Sequence, residues 1–165
     1  MNTNNKSWIP IIIHVLILII IVFACERYSK RDIINYSFPE SQAEIRAEIY
    51  SIIKDAETTN IEALKSAHLA SDKFTKFGPR HFNRQDLKST NESETAFFGS
   101  ISNYKQEVKD LKIDVFGDVG IATYYPHVYF IRNGEMINSS GRQTFVFLKT
   151  NNGWKIVHEH GTPKE

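Results

Sequence analysis

Near Tyr104 the spacing of apolar residues changes from helical to alternating, and this change limits what the chain can fold into. Before it, Ser41-Gln42-Ala43-Glu44 has the form of a capping box. Ile45, Ile49, Ile52, Ile53 and Ala56 follow at three- and four-residue spacing, which predicts a helix over about 42–58. Thr59-Asn60-Ile61-Glu62 is a second capping pattern, with Ile61, Leu64 and His68 on one stripe. A looser stretch, 72–90, leads to a third pattern at Asn91-Glu92-Ser93-Glu94, which predicts a short helix bearing Phe97, Ile101 and Tyr104.

Beyond Tyr104, turn signals at Gly117-Asp118, Asn133-Gly134 and Asn151-Asn152-Gly153 divide four alternating runs, about 105–116, 119–131, 136–149 and 154–161. Short loops between consecutive strands require an antiparallel meander. Three helices followed by such a meander make an α+β domain, with the helices packed on one face of a curved four-stranded antiparallel sheet.

The chain is long enough for one core and appendages. Its 165 residues are 41% apolar and include 18 Phe and Tyr, enough to line a substantial interior. Lys and Arg number 20 against 19 Asp and Glu, a balance without the basic footprint of nucleic-acid binders, so no nucleic-acid partner is expected. The single cysteine, Cys25, excludes an intrachain disulfide and a cysteine-built metal cage.

Residues 8–25 form an apolar run interrupted only by Pro10 and His14 and preceded by Lys6. A membrane span needs about 20 apolar residues, with about 17 as the lower end, and a signal-peptide core about 7 to 15. The run falls between the two. Its end, Val22-Phe23-Ala24-Cys25, resembles a lipoprotein box, which would place a lipid on Cys25 after cleavage; the other reading is an uncleaved transmembrane anchor. Arg27, Lys30 and Arg31 follow the run as Lys6 precedes it, so the charges do not settle the membrane side. The expected organisation is an anchor over 1–25, a polar tether over 26–40 and a domain over 41–163.

Gly141-Arg142-Gln143-Thr144-Phe145-Val146-Phe147, and then Asn152-Gly153-Trp154-Lys155-Ile156-Val157-His158-Glu159-His160-Gly161-Thr162-Pro163, resemble the closing hairpin of SnoaL-like domains of the NTF2-like superfamily. Gly117-Asp118-Val119-Gly120 matches an earlier turn of that family, and the resemblance covers about 41–163. It implies a cone-shaped α+β barrel, often dimeric, with a pocket between helices and sheet. A similar ending occurs in the association domain of calcium/calmodulin-dependent kinase, where arginines line the pocket. Here Gly161 and Phe145 stand in two of those arginine positions, which implies a more apolar pocket.

Strand alternation places Trp154, Ile156, His158 and His160 on one face. If Lys149 and Trp154 flank the last turn, Phe147 faces Ile156, Phe145 faces His158 and Gln143 faces His160. The expected pocket set is therefore His68, Tyr125, Phe145, His158 and His160. Two histidines lack a metal site's remaining ligands, which only His68 or a carboxylate such as Asp72 could supply, so no metal and no cofactor is expected. A proton-abstracting pair could be assembled only from Asp72 and Tyr125. Arg142 reads as a cross-strand ion-pair partner, and His14, His81 and His127 as surface or packing residues.

Two functions compete. One is a membrane-tethered small-molecule-binding or assembly domain, a homodimer holding a small apolar ligand. The other is an isomerase, cyclase or dehydratase with a pocket carboxylate or histidine as general base. A buried carboxylate reaching the cavity would favour the enzyme.

Overall fold

The computed structural model describes His14, residues 32–79 and residues 81–164. It falls into two units, 1–36 and 37–165, and the elements below belong to the second. Apart from His14, the apolar run and Cys25 lie outside the described residues. Among the described residues no helix is long and apolar enough to cross a membrane.

Helix α1 spans Pro39–Glu57. It begins three residues before the second residue of the Ser41 capping pattern, because Pro39 occupies its first turn and Phe38 precedes it in a left-handed conformation (φ 50°) with no side-chain cap. Proline's fixed φ and missing N–H suit a first turn, where an N–H would lack a helical partner. The predicted stripe is the buried one: Ile45, Ile49, Ile53 and Ala56 turn toward the sheet. Helix α2, Ile61–Ala67, is capped by the Asn60 side chain, which accepts from the Ala63 N–H. Helix α3, Leu87–Gly99, starts four residues before the predicted pattern at Asn91, because Asp86 and Ser89 form the capping box. It ends at Gly99, so Ile101 and Tyr104 lie beyond it, Tyr104 on a strand.

The strands are β1 Thr75–Phe77, β2 Ser102–Phe116, β3 Val119–Arg132, β4 Glu135–Thr150 and β5 Gly153–Pro163. Their order in the sheet is β1-β5-β4-β3-β2. The meander β2 to β5 is antiparallel as expected, with Gly117, Asn133, Gly134 and Gly153 taking positive φ in its turns. The four-stranded antiparallel expectation is corrected by β1, which pairs parallel to β5 and makes the sheet five-stranded and mixed. Three residues are too few to show an alternating pattern, and β1 lies in the stretch that reads as loose.

Ile45, Ile49 and Ile53 pack with Ile113, Val115, Ala122, Phe147, Trp154 and Ile156 in one core. Close approach of α1 to the sheet uses Gly120, where an added Cβ would sit 2.3 Å from Ile45 Cδ1. Glu44 ties the same helix to the last hairpin by accepting from Trp154 Nε1 at 2.8 Å and Lys149 Nζ at 2.9 Å.

Candidate functional site

At the other end of this core, helices and sheet diverge around a cavity of about 520 Å³. Strand alternation delivers its walls. Tyr124, Pro126, Val128 and Phe130 of β3 all face inward, as do Phe145 and Gln143 of β4. Phe97 and Phe98 at the end of α3 close one side, their rings 5.1 Å apart. Phe97 meets Phe130 edge-on at 5.5 Å, and Phe98 meets Tyr104 at 5.4 Å. Edge-to-face rings at these separations are the favoured aromatic geometry.

The expected pocket set divides. His68 and Phe145 line the cavity, whereas Tyr125, His158 and His160 do not. Tyr125 is 51% exposed, and its inward neighbour Tyr124 takes the place expected for it. The two histidines are displaced by one irregularity. Lys149 pairs with Trp154 and Phe147 with Ile156 as expected, but the register then shifts, so that Val146 pairs with His158, Phe145 with Glu159 and Thr144 with His160. Val157 is the extra residue of a β-bulge, and one extra residue reverses the parity of everything after it. Glu159 therefore turns inward, and His158 and His160 turn to the outer face. There both rings meet Phe77 edge-on, at 5.9 and 5.8 Å. His158 Nδ1 also lies 2.8 Å from Thr75 Oγ1, and partial burial, then His160, holds its pKa below the ordinary value.

The residue that faces Glu159 across the parallel pairing is Lys76 of β1. Its ammonium donates to Glu159 Oε1 at 3.0 Å and to Glu94 Oε1 of α3 at 2.7 Å, and all three side chains are largely buried. Burial alone would lower the pKa of Lys76, but Glu159 and then Glu94 more than offset it and raise it. Burial likewise opposes ionisation of Glu159. Lys76 and then His68 outweigh it and bring its pKa down to about 2. Gln143 Nε2 also donates to Glu159 at 3.3 Å.

His68 completes the group. It is the C-cap of α2 rather than part of its apolar stripe, in extended conformation and bridged to Ile156. Its Nε2 lies 3.7 Å from Glu159 and 3.8 Å from Glu94, within electrostatic reach but too far for hydrogen bonds. Its Nδ1 is buried with no hydrogen-bond partner among the described residues. Beside this group, Tyr104 donates to Gln106 Oε1 and Gln106 Nε2 donates to Tyr124 at 3.3 Å; burial raises the pKa of both phenols and keeps them neutral.

His68, Glu94 and Glu159 offer three ligand atoms within 4.8 Å of one another, the sort of triad that holds a divalent ion. Lys76 Nζ already sits against both carboxylates and supplies the positive charge they require, so the donor set as arranged fits an ammonium rather than a metal. Asp72 is exposed and absent from the cavity wall, so it does not form the proton-abstracting pair with Tyr125. Arg142 is exposed at the cavity rim, opposite Thr162. His81 is exposed on a loop that lines the cavity, and His127 is bonded to Ser140 across the sheet.

Lys76, Glu94 and Glu159 were missed by sequence reasoning. Glu159 carried one usable signal, the acidic residue between two histidines, but parity assigned it to the wrong face. Lys76 and Glu94 carried none, since their meeting depends on β1.

Residues 45–163 match the family described as the SnoaL-like domain. A comparison with curated proteins returns no match. Solved structures share the fold. An NTF2-like superfamily protein from Salmonella enterica serovar Typhimurium is 22% identical over 77% of this chain and 93% of its own, with a TM-score of 0.71. A candidate dehydratase of the NTF2-like family from Streptomyces avermitilis is 15% identical over 76% of this chain and 97% of its own, with a TM-score of 0.70. A candidate calcium/calmodulin-dependent kinase II association domain from Xanthomonas campestris is 14% identical over 73% and 86%, with a TM-score of 0.64.

Proposed function

We propose, from the premise that the chain belongs to the SnoaL-like domain family, that it binds a small, mostly apolar molecule in the cavity, tethered to a membrane by residues 8–25. The observation that carries this reading is the ion-paired group of Lys76, Glu94 and Glu159 in a cavity whose remaining walls are largely aromatic and aliphatic. Aromatic walls supply the burial that drives binding of an apolar body, and a few fixed polar groups orient it. A ligand hydroxyl or carbonyl at the floor would meet Lys76, Gln143 and the Glu159 carboxylate, all of which can exchange hydrogen bonds without new ionisation.

Binding is favoured over proton-transfer chemistry by the state of the charged groups. A carboxylate whose pKa is brought down to about 2 is a weak base, and a lysine held protonated is neither base nor nucleophile. The second reading, an isomerase-, cyclase- or dehydratase-type enzyme, is favoured by one observation: two carboxylates reach the cavity beside His68. It requires a substrate that draws Lys76 away, since losing the ammonium would restore basicity to Glu159.

Native mass spectrometry of the full chain, purified from its own cells, tests the proposal. The expected result is a co-purified apolar molecule that is lost when Val128→Phe fills the cavity. Conversion of the retained molecule into a product, abolished by Glu159→Gln, would replace binding with catalysis. An empty cavity, with no stabilisation by any apolar ligand in thermal unfolding, would defeat both.

A further inference from the structure

Two carboxylates and one ammonium make up the ion-paired group of the cavity, so the group is one positive charge short of neutral unless His68 takes a proton. Its hydrogen bonds are uneven in the same way. Lys76 donates to Oε1 of Glu94 and to Oε1 of Glu159, and Gln143 donates to that same oxygen of Glu159. Oε2 of each carboxylate is thus without a donor among the described residues. His68 is in a similar condition. Its side chain is 4% exposed, yet Nδ1 has no partner among the described residues, and Nε2 stops 3.7 Å from Glu159 Oε2 and 3.8 Å from Glu94 Oε1, beyond hydrogen-bond length. Polar groups this deep are ordinarily hydrogen-bonded, and these three meet at one place on the cavity wall.

The spacing of the three selects what fits between them. One nitrogen of His68 and one oxygen each of Glu94 and Glu159 lie within 4.8 Å of one another. A point amid three atoms so spaced is within about 2.8 Å of each, the length of a charge-assisted N–H···O bond. A primary ammonium has three N–H donors and one positive charge, and neutral His68 offers a lone pair on one ring nitrogen. Donors then match acceptors, and with Lys76 keeping its own bonds two cations balance two anions. A divalent ion would overshoot the deficit, and an anion would deepen it.

The surroundings suit the same charge. Phe98, Tyr104, Tyr124 and Phe145 line the cavity beside this group, and ring faces attract cations. The aromatic cluster already holds one cation, the Arg132 guanidinium, 5.3 Å from the Phe97 ring centre and 5.5 Å from that of Phe130. Arg142 and His81, which also line the cavity, are exposed, so solvent screens their charge.

We propose that the molecule taken by this cavity is a primary amine in its protonated form. Its ammonium sits between His68, Glu94 and Glu159, and its apolar body lies against Phe98, Tyr104, Tyr124 and Phe145. The inference rests on the ligand-binding reading and narrows it to amphiphilic amines.

The test titrates the full chain, in a nonionic detergent at neutral pH, with four probes built on one body: phenethylamine, its N,N,N-trimethyl derivative, phenethyl alcohol and phenylacetate. Val128→Phe, which fills the cavity, gives the background of each probe in the same detergent. The expected result by calorimetry is that phenethylamine binds about tenfold more tightly than the other three, the worth of one charge-assisted hydrogen bond. Glu94→Gln, which keeps Lys76 paired with Glu159, should reduce that preference to about twofold or less. The order of the probes on the native chain decides the matter even if this variant unfolds. Alcohol or carboxylate bound as tightly as the amine overturns the inference and leaves the apolar-ligand reading standing. A trimethyl derivative bound as tightly as the primary amine overturns the proposed seat, because it carries the charge without the donors. The same holds for an amine preference that survives in Val128→Phe, which would lie outside the cavity. Binding of no probe above background overturns the amine and the ligand-binding reading together.

Discussion

At the scale of single residues, Lys76 holds the site together. Removing one partner of a buried ion pair leaves an uncompensated charge, which costs more than the pair itself contributes. Lys76→Met should therefore lower stability by about 3–5 kcal/mol in urea unfolding. Lys76→Met combined with Glu159→Gln should recover part of that loss, though Glu94 remains unpaired. The pH dependence follows from the same pair. Glu159 has a folded pKa near 2 against an ordinary 4.5, so its stabilisation is present above about 4.5 and is lost as pH falls toward 2. Lys76 is raised from 10.5, so its contribution is complete below 10.5 and is lost only above it. Urea midpoints at falling pH should converge for the native chain and Lys76→Met, because protonating Glu159 harms the first and relieves the second. A gap that stays constant between pH 6 and pH 3 would contradict the pairing.

At the scale of elements, two glycines separate close approach from mere conformational freedom. An added Cβ at Gly141 would lie 2.5 Å from the Thr162 carbonyl oxygen, a contact between two backbones that neither strand can yield cheaply. Gly141→Ala should cost about 1–3 kcal/mol and loosen the open end of the β4–β5 hairpin. At Gly99 nothing lies within 4 Å of an added Cβ, so Gly99→Ala in the last helical position of α3 should be neutral or stabilise by up to about 1 kcal/mol. Chemical denaturation of the two variants side by side measures the contrast. The elements themselves were legible in the sequence wherever a long periodic run existed. The Ile45-Ile49-Ile53 stripe, the three turns of the meander and the Lys149-to-Trp154 pairing all stand as read. What failed were short features: the three-residue strand β1, the bounds of α3 and the one-residue bulge in β5. A bulge at Val157 carries no sequence mark, because a single extra residue needs no glycine or proline.

At the scale of the whole molecule, two expectations concern assembly and place. Residues 8–25 should carry the full chain into the membrane fraction, and a chain lacking residues 1–29 should remain soluble and folded, as sedimentation and circular dichroism would show. The outer face of the sheet carries Val146 and Leu148, paired on β3 with Ile121 and the exposed Val119, and it should pair with a second copy. Light scattering at tens of micromolar, on the order of concentrations that saturate stable interfaces, should report a dimer, and a monomer would count against it.

The sequence by itself determined the three helices, the four-stranded meander after them and the family, because periodicity, capping residues and turn glycines act over a few neighbours in the chain. Tertiary structure alone decided the floor of the cavity. Lys76, Glu94 and Glu159 come from a three-residue strand, a helix and the far side of a bulge, separated by up to 83 positions, as Lys76 and Glu159 are. Their charges become a site only because burial leaves each carboxylate no cheaper partner than the same ammonium.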